Sequence, residues 1–413
     1  MKIAAIISEY NPFHNGHAKQ FRLIRERLGG DTVIVCLMSG NFVQRGEPAL
    51  LPKAVRAEAA VACGADLVLE LPVTAALSSA EGFAAGGVRL LDALGVVDEL
   101  CFGAETADRD ALWQTAACLR TPAFSEALRR ELAGGISFAA ARSRALAQLG
   151  AAPEVVRQPN DILAVEYCKA LQALGSQIEP AVFLRQGAYH AVLPEGENPS
   201  ATSLRELARP EAWAAYVPAA ALAVYARHPA QYRRENGERA MLAVLRRMPE
   251  AEFAALPYGS EGLWRKLYRE SRRAGSVDAL LDAVKSKRYA RSRIARMCMC
   301  AYLGLDADAM AMEPPYLRVL AMREPGRALL RQAHEEPFSW TGYRAREWRE
   351  GAQLFLLDEA RSGGAATLSL GSAENAPELP TAVEALFLLI LQDARQDGVL
   401  AVERGVLRGE WEG

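Results

Sequence analysis

The chain has 413 residues and a formal net charge of -2 at pH 7, with 51% hydrophobic and 24% charged residues. This length exceeds what one ordinary hydrophobic core organises, and the composition is that of a folded globular protein, so we expect two domains. The near-neutral charge excludes a uniformly basic surface, and any contact with nucleic acid must therefore come from a local basic patch.

The first two hundred residues alternate short apolar runs with amphipathic stretches. The runs are rich in Val, Ile and Leu and are apolar on both faces, as expected of buried parallel strands. The stretches between them, such as residues 16–30 and 53–64, end at glycine, which commonly terminates helices. This alternation predicts an α/β fold in which helices cover a Rossmann-like parallel sheet. The five predicted strands are residues 2–8, 32–38, 66–72, 97–103 and 180–185.

The rest of the chain has a helical pattern. Residues 105–150 lack a strand pattern and predict a helical insertion between the fourth and fifth strands. From about residue 207 the apolar residues recur at helical spacing, for example over residues 277–303, and a last apolar helix is predicted over 381–396. We therefore expect an α/β domain over residues 1–206 and a mainly helical domain over 207–413.

Cysteine usage and the apolar runs indicate the cellular compartment. The seven cysteines are an odd number without CxxC spacing, and Cys298 and Cys300 form a CxC inside an apolar stretch. Buried free thiols in a reducing compartment explain this better than a zinc site does. The apolar runs are too short to cross a membrane, and Glu9 comes before a signal-peptide core can form. We expect a cytoplasmic protein with no membrane partner.

The segment "EYNPFHNGHAKQF", residues 9–21, follows the first predicted strand. His14 and His17 are one turn apart at the start of the first predicted helix, where free backbone N–H groups and the helix dipole favour anions. Gly16 permits the close approach of a ligand to the backbone, and Pro12 fixes the loop. Two imidazoles facing one phosphate would stabilise the charge that develops on it during a displacement.

Two other interpretations of His14 and His17 are zinc ligation and simple exposure to solvent. The spacing suits zinc, but no third His, Cys or acidic cluster is evident nearby in the sequence. The strand–loop–helix context is the one that a nucleotide site requires. We therefore favour a nucleotide site with His14 and His17 as its catalytic residues.

Two motifs resemble the signatures of one superfamily. "HNGH", residues 14–17, resembles the HxGH signature of the nucleotidyltransferase and class I aminoacyl-tRNA synthetase superfamily, whose members cleave ATP between its α- and β-phosphates. "SATSLRE" resembles the second signature, an ISxTxxR-like turn before a helix, through Ser200, Thr202, Ser203 and Arg205. Hydroxyls, helix-start amides and a guanidinium suit a leaving pyrophosphate. Taken alone, this segment is also a plain helix cap followed by an arginine.

Longer segments resemble the bacterial tRNA(Met) cytidine acetate ligase family, from residue 1 to beyond residue 320. They include "EYNPFHNGH", "MSGNFVQRGEPA", "DLVLELP", "FGAE", "QPNDILAVEY", "RQGAYH", "SATSLRE", "KSKRYARSRIAR" and "PPYLRVLAM". The resemblance implies a nucleotidyltransferase fold, ATP as cofactor, Mg²⁺ to screen the triphosphate, and elongator tRNA(Met) and acetate as partners. Neither DNA nor a membrane is implied.

The resemblance also implies which residues contact ATP. Ligands of an open parallel sheet bind beyond the carboxyl ends of its strands, and the implied residues follow that rule. Read singly, Asn160 is also a helix cap, Gly103 a turn and Arg185 a surface ion pair. The implied ATP contacts are Ile7, Ser8, Glu9, Tyr10, Asn11, Pro12, Phe13, His14, Asn15, Gly16, His17, Ala18, Lys19, Gln20, Gly103, Asn160 and Arg185.

Two further basic residues are candidates near this site. Lys53 opens the helix after "GEPALLP", where similar enzymes often place a lysine near the triphosphate, although a solvated lysine fits the sequence as well. Arg45, in the loop "GNFVQRGEP", is a candidate for contacting the substrate carboxylate or the tRNA.

A basic cluster in the second half is the candidate tRNA-binding surface. It lies in "KSKRYARSRIAR", residues 285–296, around Tyr289, with a second cluster at residues 264–273. On a helix these side chains would form one broad face with phosphate contacts and an aromatic ring for stacking. Charged helix faces are commonly only solvated, and the family resemblance favours RNA. The candidate tRNA-binding residues are Lys285, Lys287, Arg288, Arg291, Arg293 and Arg296.

We interpret the protein as an ATP-dependent ligase that acetylates the wobble cytidine of elongator tRNA(Met) through an acetyl-adenylate, as the resemblance implies. One alternative is a small-molecule adenylyltransferase that joins AMP to a phosphorylated cofactor precursor. The basic helical half argues against it. A second alternative is an RNA-binding protein with a catalytically silent nucleotide fold, against which the intact "HNGH" argues.

Overall fold

The computed structural model describes residues 1–185, 201–207, 210–228, 234–311 and 317–335. Ser200, most of "RQGAYH" and the helix predicted over 381–396 lie outside these residues. The strands within them are β1 (Ile3–Ser8), β2 (Val33–Ser39), β3 (Phe42–Val43), β4 (Glu47–Pro48), β5 (Leu67–Leu71), β6 (Glu99–Ala104), β7 (Glu179–Leu184) and β8 (Arg318–Met322).

Six of these strands form one sheet in the order β7-β6-β1-β2-β5-β8, and β3 pairs with β4 in a separate antiparallel hairpin. The strands from β7 to β5 are parallel to their neighbours. The five predicted strands all lie in this sheet, so the predicted α/β fold with a mostly parallel sheet is confirmed. The hairpin was not predicted. Strand β8, also unpredicted, returns to the sheet and pairs antiparallel to β5.

Helices cover both faces of the sheet because successive strand residues point to opposite sides. Ile3, Ala5 and Val35 pack with one layer of helices, and Ala4 and Ile34 pack with the other. The helices up to β7 are α1 (Asn15–Leu28), α2 (Lys53–Ala62), α3 (Val73–Ala76), α4 (Ala80–Leu94), α5 (Arg109–Leu119), α6 (Pro122–Ala133), α7 (Phe138–Gln148) and α8 (Pro159–Leu174). Helices α5, α6 and α7 lie between β6 and β7, so the predicted helical insertion is confirmed.

The chain after β7 is mainly helical in the described ranges. Residues from α11, α12, α13, α14 and α15 share a hydrophobic core of their own, which includes Leu245, Phe253, Leu267 and Ile294. The domain boundary at residues 206 and 207 stays a prediction, and α10 and β8 beyond it pack on the sheet. These helices are α9 (Ala201–Glu206), α10 (Ala219–Arg227), α11 (Arg234–Arg247), α12 (Glu250–Ala255), α13 (Leu263–Ser271), α14 (Val277–Val284), α15 (Arg291–Leu303), α16 (Ala307–Ala311) and α17 (Glu324–Glu335).

The helical spacing over residues 277–303 is interrupted at its centre, so the prediction that the basic cluster of residues 285–296 lies on one helix is wrong for its first half. Residues 285–290 form a turn between α14 and α15. The Ser286 hydroxyl accepts hydrogen bonds from the backbone N–H groups of Arg288 (3.3 Å) and Tyr289 (3.2 Å). A serine that bonds nearby backbone in this way competes with helical hydrogen bonding and stabilises a turn.

No helix in the part of the chain that the structure describes is both long enough and apolar enough to cross a membrane.

Candidate active site at the carboxyl ends of the strands

A cavity of about 320 Å³ opens where β1, β6 and β7 end. Its wall combines the loop after β1, the start of α1, the β3–β4 hairpin, the first turn of α8, and α9. The predicted ATP residues therefore converge from distant parts of the chain, as parallel strands require. Those that line the cavity are Ile7, Ser8, Glu9, Tyr10, Asn11, His14, Gly16, His17, Lys19, Gln20, Gly103, Asn160, Arg185, Thr202 and Arg205.

The two histidines of "HNGH" form a reciprocal cap at the start of α1. Nδ1 of His14 accepts a hydrogen bond from the backbone N–H of Gly16 (3.0 Å), and Nδ1 of His17 accepts one from the backbone N–H of His14 (3.2 Å). Their ring centroids are 3.8 Å apart. A Cβ on Gly16 would lie 2.8 Å from Cε1 of His14, so only glycine leaves room for this ring. The motif thus fixes both imidazoles beside the first free amides of the helix.

Both imidazoles are neutral at neutral pH. Burial, followed by the charges of Arg185 and Arg205, lowers the pKa of His14 to about 3. Burial, His14 and Arg185 lower the pKa of His17 well below its ordinary value. Because each Nδ1 accepts a hydrogen bond, the proton of each neutral ring is on Nε2. The pair therefore supplies two uncharged Nε2–H donors at the cavity.

We expect His14 to make folding stability depend on pH below neutrality. Its pKa is about 3 in the folded protein and 6.5 as an ordinary value, so the unfolded chain binds more protons between these limits. The stabilisation is complete above the ordinary pKa and declines as the pH falls through this window. In urea unfolding at about pH 7.5 and about pH 5, the His14→Asn variant should lose less unfolding free energy than the parent. Equal losses would contradict the lowered pKa.

Several predicted residues of the same segment support the loop without lining the cavity. Phe13 is fully buried, and its backbone N–H donates to the Tyr225 hydroxyl (3.0 Å). The backbone N–H of Asn15 donates to the carbonyl of Tyr216 (2.8 Å). Pro12 is buried, and Ala18 packs against the core under α1. These residues anchor the histidine loop on the segment that includes α10, a contact that the sequence did not reveal.

The segment that resembles the second signature contributes Thr202 and Arg205 to the cavity. One guanidinium nitrogen of Arg205 donates to the carbonyl of Asn11 (2.9 Å) and the other to the Thr202 hydroxyl (3.2 Å). Ser203 is fully buried and does not line the cavity. Arg205 therefore joins this segment to the loop after β1 and places positive charge at the cavity.

Asn160, at the start of α8, and Arg185, just after β7, form a polar chain in the cavity wall. Arg185 donates to Oδ1 of Asn160 (3.0 Å), and Nδ2 of Asn160 donates to Oε1 of Glu105 (2.5 Å). The interpretation of Asn160 as a helix cap is wrong. Gln158 is the N-cap residue of α8, and the side-chain amide of Asn160 donates to Glu105 instead. Glu105 was missed, although it lies in the quoted "FGAE". A Cβ on Gly103 would only reach ordinary contact, 3.8 Å from Cβ of Arg185, so packing within the protein does not require glycine there.

The β3–β4 hairpin forms the third wall, which the sequence did not predict. Val43, Gln44, Arg45 and Glu47 line the cavity, so the candidate Arg45 lies at the site. The backbone N–H of Gln44 donates to Oε1 of Glu9 (2.9 Å), which joins the hairpin to the loop after β1.

Lys53 does not line the cavity. Its ammonium lies 2.9 Å from a Glu70 carboxylate oxygen, and Arg318 of β8 lies 3.1 Å from the same oxygen. Lys53 is only 8% exposed, so the interpretation as a solvated lysine is wrong. The largely buried carboxylate of Glu70, on β5, thus holds Lys53 outside the cavity lining.

The predicted basic cluster divides into an exposed turn and a partly paired helix. Lys285, Lys287 and Arg288 are exposed in the turn, and Arg288 pairs there with Glu261 (3.2 Å). Within α15, Arg291 pairs with Asp278 and Asp282. The other two arginines also have protein partners: Arg293 donates to the Ser260 hydroxyl (2.7 Å), and Arg296 donates to the carbonyl of Gln44 (3.2 Å) and stacks over Tyr258.

The described residues contain no group of three or more His, Cys, Asp or Glu arranged to hold a metal ion. The seven cysteines are free thiols, and Cys298 and Cys300 are buried. Glu9 and Glu47 are the carboxylates that line the cavity. Mg²⁺ commonly takes one or two carboxylates together with substrate phosphates, so this donor set fits an ion carried mainly by a triphosphate.

Comparison with known proteins identifies the family. A model described as HIGH Nucleotidyl Transferase matches residues 1–344. The tRNA(Met) cytidine acetate ligase of Syntrophotalea carbinolica is 41% identical over 351 residues, which cover 81% of this chain and 83% of that protein. The ligase of the same name from Acetivibrio thermocellus is 34% identical over 355 residues, 80% of this chain and 85% of that protein.

Solved structures agree with this assignment. A crystal structure of Thermotoga maritima TmcAL bound with alpha-thio ATP has a TM-score of 0.73 and 34% identity, and it covers 81% of this chain and 84% of that chain. The apo structure of the same protein has a TM-score of 0.75. By sequence and by fold, the chain belongs to the tRNA(Met) cytidine acetate ligase family of HIGH nucleotidyl transferases.

Proposed function

We propose that the protein is an ATP-dependent ligase that forms N4-acetylcytidine at the wobble position of elongator tRNA(Met) from acetate, with release of AMP and pyrophosphate. The observation that carries the proposal is the pair of neutral imidazoles at the start of α1, in a cavity with Arg185 and Arg205. The names of the relatives and the alpha-thio ATP bound to a structural neighbour support it over the two alternatives.

In the first step an acetate oxygen attacks the α-phosphorus of ATP, and pyrophosphate leaves. Negative charge grows on the phosphate oxygens, and we assign His14 and His17 to donate to them from Nε2. Neutral donors suit this role because they need no proton from solvent at the start of the reaction. Arg205, with the hydroxyl of Thr202, is assigned to the leaving pyrophosphate.

The remaining cavity residues are assigned to ATP. The free amides at the start of α1 bind phosphate oxygens. Gly103 leaves room for the adenosine, and Asn160, oriented by Glu105, presents its amide to the ribose or the base. Arg185, which donates to Asn160, adds positive charge. Mg²⁺ stays a prediction, and no step is assigned to it.

In the second step the exocyclic amine of the cytidine attacks the acetyl carbon, loses a proton and releases AMP. The exposed Lys285, Lys287 and Arg288 are assigned to tRNA phosphates. Arg291, Arg293 and Arg296 are assigned a smaller part, because they are only half-buried rather than exposed and acidic and backbone groups hold all three. The cytoplasmic location stays a prediction.

A triple variant in which Gln replaces Lys285, Lys287 and Arg288 should bind tRNA more weakly. The slope of log affinity against log salt should fall by about 2–3. The matched triple variant at Arg291, Arg293 and Arg296 should have a smaller effect. Acetate-dependent ATP–pyrophosphate exchange should be unchanged in the first variant, which separates RNA binding from adenylation. Parent-like tRNA affinity in that variant would refute the assignment.

The proposed function is tested by incubating the protein with labelled acetate, ATP and a tRNA mixture and then identifying the labelled nucleoside. We expect label in N4-acetylcytidine of elongator tRNA(Met), together with AMP. Acetyl-CoA should not replace acetate and ATP. Product formed from acetyl-CoA alone, or label in a small acceptor, would refute the proposal.

A further inference from the structure

Arg56 on α2 is a fully buried guanidinium outside the cavity. Its Nε donates to the carbonyl of Leu51 (3.0 Å), and one terminal nitrogen donates to the carbonyls of Glu9 and Ser39, the latter at 3.1 Å. The other terminal nitrogen donates to the carbonyl of Gly40. Backbone carbonyls from three segments thus surround one cation.

These carbonyls lie where the site is built. Glu9 is the first residue after β1, Ser39 and Gly40 stand at the end of β2, and Leu51 precedes α2. An isolated charge would not be buried without such partners, because desolvating it is costly. The fork of a guanidinium spans several acceptors at fixed directions, whereas a lysine ammonium presents its donors from a single point.

The loop held by Arg56 also carries the functional groups. The carbonyl of Glu9 accepts from Arg56, and its carboxylate accepts from the N–H of Gln44 in the hairpin. Asn11 accepts from the N–H of Leu50 (2.7 Å) through Oδ1 and from Arg205 (2.9 Å) through its carbonyl. His14 follows three residues later. One buried cation therefore binds the backbone on both sides of the hairpin, at Gly40 and Leu51, and the backbone of Glu9, which joins the histidine loop to the hairpin.

We propose that Arg56 is a positioning residue for adenylate formation, which holds the ends of β1 and β2 together so that His14 and the hairpin keep their places around the α-phosphate. The proposal rests on the proposed function for its kinetic consequence. The pKa of Arg56 is lowered to about 10, mainly by burial, so the side chain stays charged at neutral pH.

Arg25 on α1 provides a matched control at the amino ends of the strands, opposite the carboxyl ends where Arg56 lies. It donates to the carbonyl of Gly64 (2.9 Å) and to the carboxylate of Asp66 (2.9 Å), just before β5 begins. It too joins separate segments through a guanidinium. Its loss should cost stability without disturbing the cavity.

The experiment compares Arg56→Lys with Arg25→Lys in the full chain, after thermal unfolding has established their stabilities. For Arg56→Lys we expect the kcat of acetate-dependent ATP–pyrophosphate exchange to fall by roughly 10²-fold, because small displacements of the reacting groups mainly affect the transition state. The Kd for ATP should change by less than about threefold. Arg25→Lys should keep both values. Amide hydrogen exchange of residues 9–17 and 40–44 should accelerate in Arg56→Lys alone.

Equal kcat in the two variants at similar stability would overturn the proposal. Failure of Arg56→Lys to fold would also overturn it, because Arg56 would then be needed for the whole fold and not for the site loops. Absence of exchange in the parent would refute the proposed function instead, and the amide exchange would still decide whether Arg56 orders these loops.

Discussion

Replacing His14 by Asn should slow acetate-dependent ATP–pyrophosphate exchange by about 10²–10³-fold, the scale for losing one transition-state donor. Asparagine is a good N-cap, so its Oδ1 should still accept from the N–H of Gly16 and keep the start of α1 intact. It is shorter than histidine, and its remaining nitrogen does not extend to where Nε2 of His14 lies. We therefore expect a protein with this slower exchange whose stability at neutral pH is close to that of the parent.

Ser137→Ala is the matched control for this prediction. Ser137 caps α7 in the helical insertion, where its hydroxyl accepts from the N–H of Ala140 (3.3 Å). Losing this cap should lower the unfolding free energy by about 1 kcal/mol and leave exchange unchanged. His14→Asn should thus lose exchange activity and keep its unfolding free energy, whereas Ser137→Ala should lose unfolding free energy and keep its exchange activity. Parent-like exchange in His14→Asn would remove His14 from the chemistry.

Replacing Gly46 by Ala should lower the unfolding free energy by about 2–5 kcal/mol, as the sum of left-handed strain and overpacking. Gly46 in the hairpin has φ +80°, and a Cβ there would lie 2.3 Å from the backbone nitrogen of Arg296 and 2.4 Å from the carbonyl carbon of Ala295. These atoms belong to the backbone of α15, which cannot move aside as the end of a flexible side chain can. The hairpin must then shift, and Gln44 and Arg45 would shift with it at the cavity wall.

Gly175→Ala separates strain from the clash. Gly175 ends α8 with φ +64°, and a Cβ there meets no atom within 4 Å. This variant should lose only about 1–2 kcal/mol, the strain of a left-handed residue. Urea unfolding of both variants measures the difference, which is the contribution of the contact between the hairpin and α15. Equal losses of unfolding free energy in Gly46→Ala and Gly175→Ala would show that Gly46 is not tightly packed against α15.

The sheet was predictable because buried parallel strands leave a local pattern of Val, Ile and Leu. The place of the histidine loop at the cavity was predictable because a nucleotide site needs its histidines and glycine in a short segment between a strand and a helix. Both signals depend on neighbours in sequence. The turn at residues 285–290 was missed because its Lys and Arg residues are good helix formers, while the competing bonds come from Ser286 alone.

Contacts between distant residues account for the other differences. Lys53 was a candidate for the triphosphate, and only the fold reveals that Glu70 and Arg318 meet it. The apolar stretch of β8 is five residues long and stands among helices, so periodicity alone did not identify it as a strand. Likewise, the bonds that orient Asn160 and the histidine loop come from Glu105 and Tyr225, which no local pattern links to them.

Strand β8 comes late in the chain and pairs with β5, and this limits where the protein can be truncated. Strand β8 covers the outer hydrogen-bonding side of β5, whose residues Leu67 and Leu69 are fully buried. A fragment that ended at residue 206 would contain the histidine loop but would expose the backbone N–H and C=O groups of that apolar strand. Uncovered apolar edges pair readily with other chains and aggregate. Strand β8 therefore protects β5 from pairing with another chain.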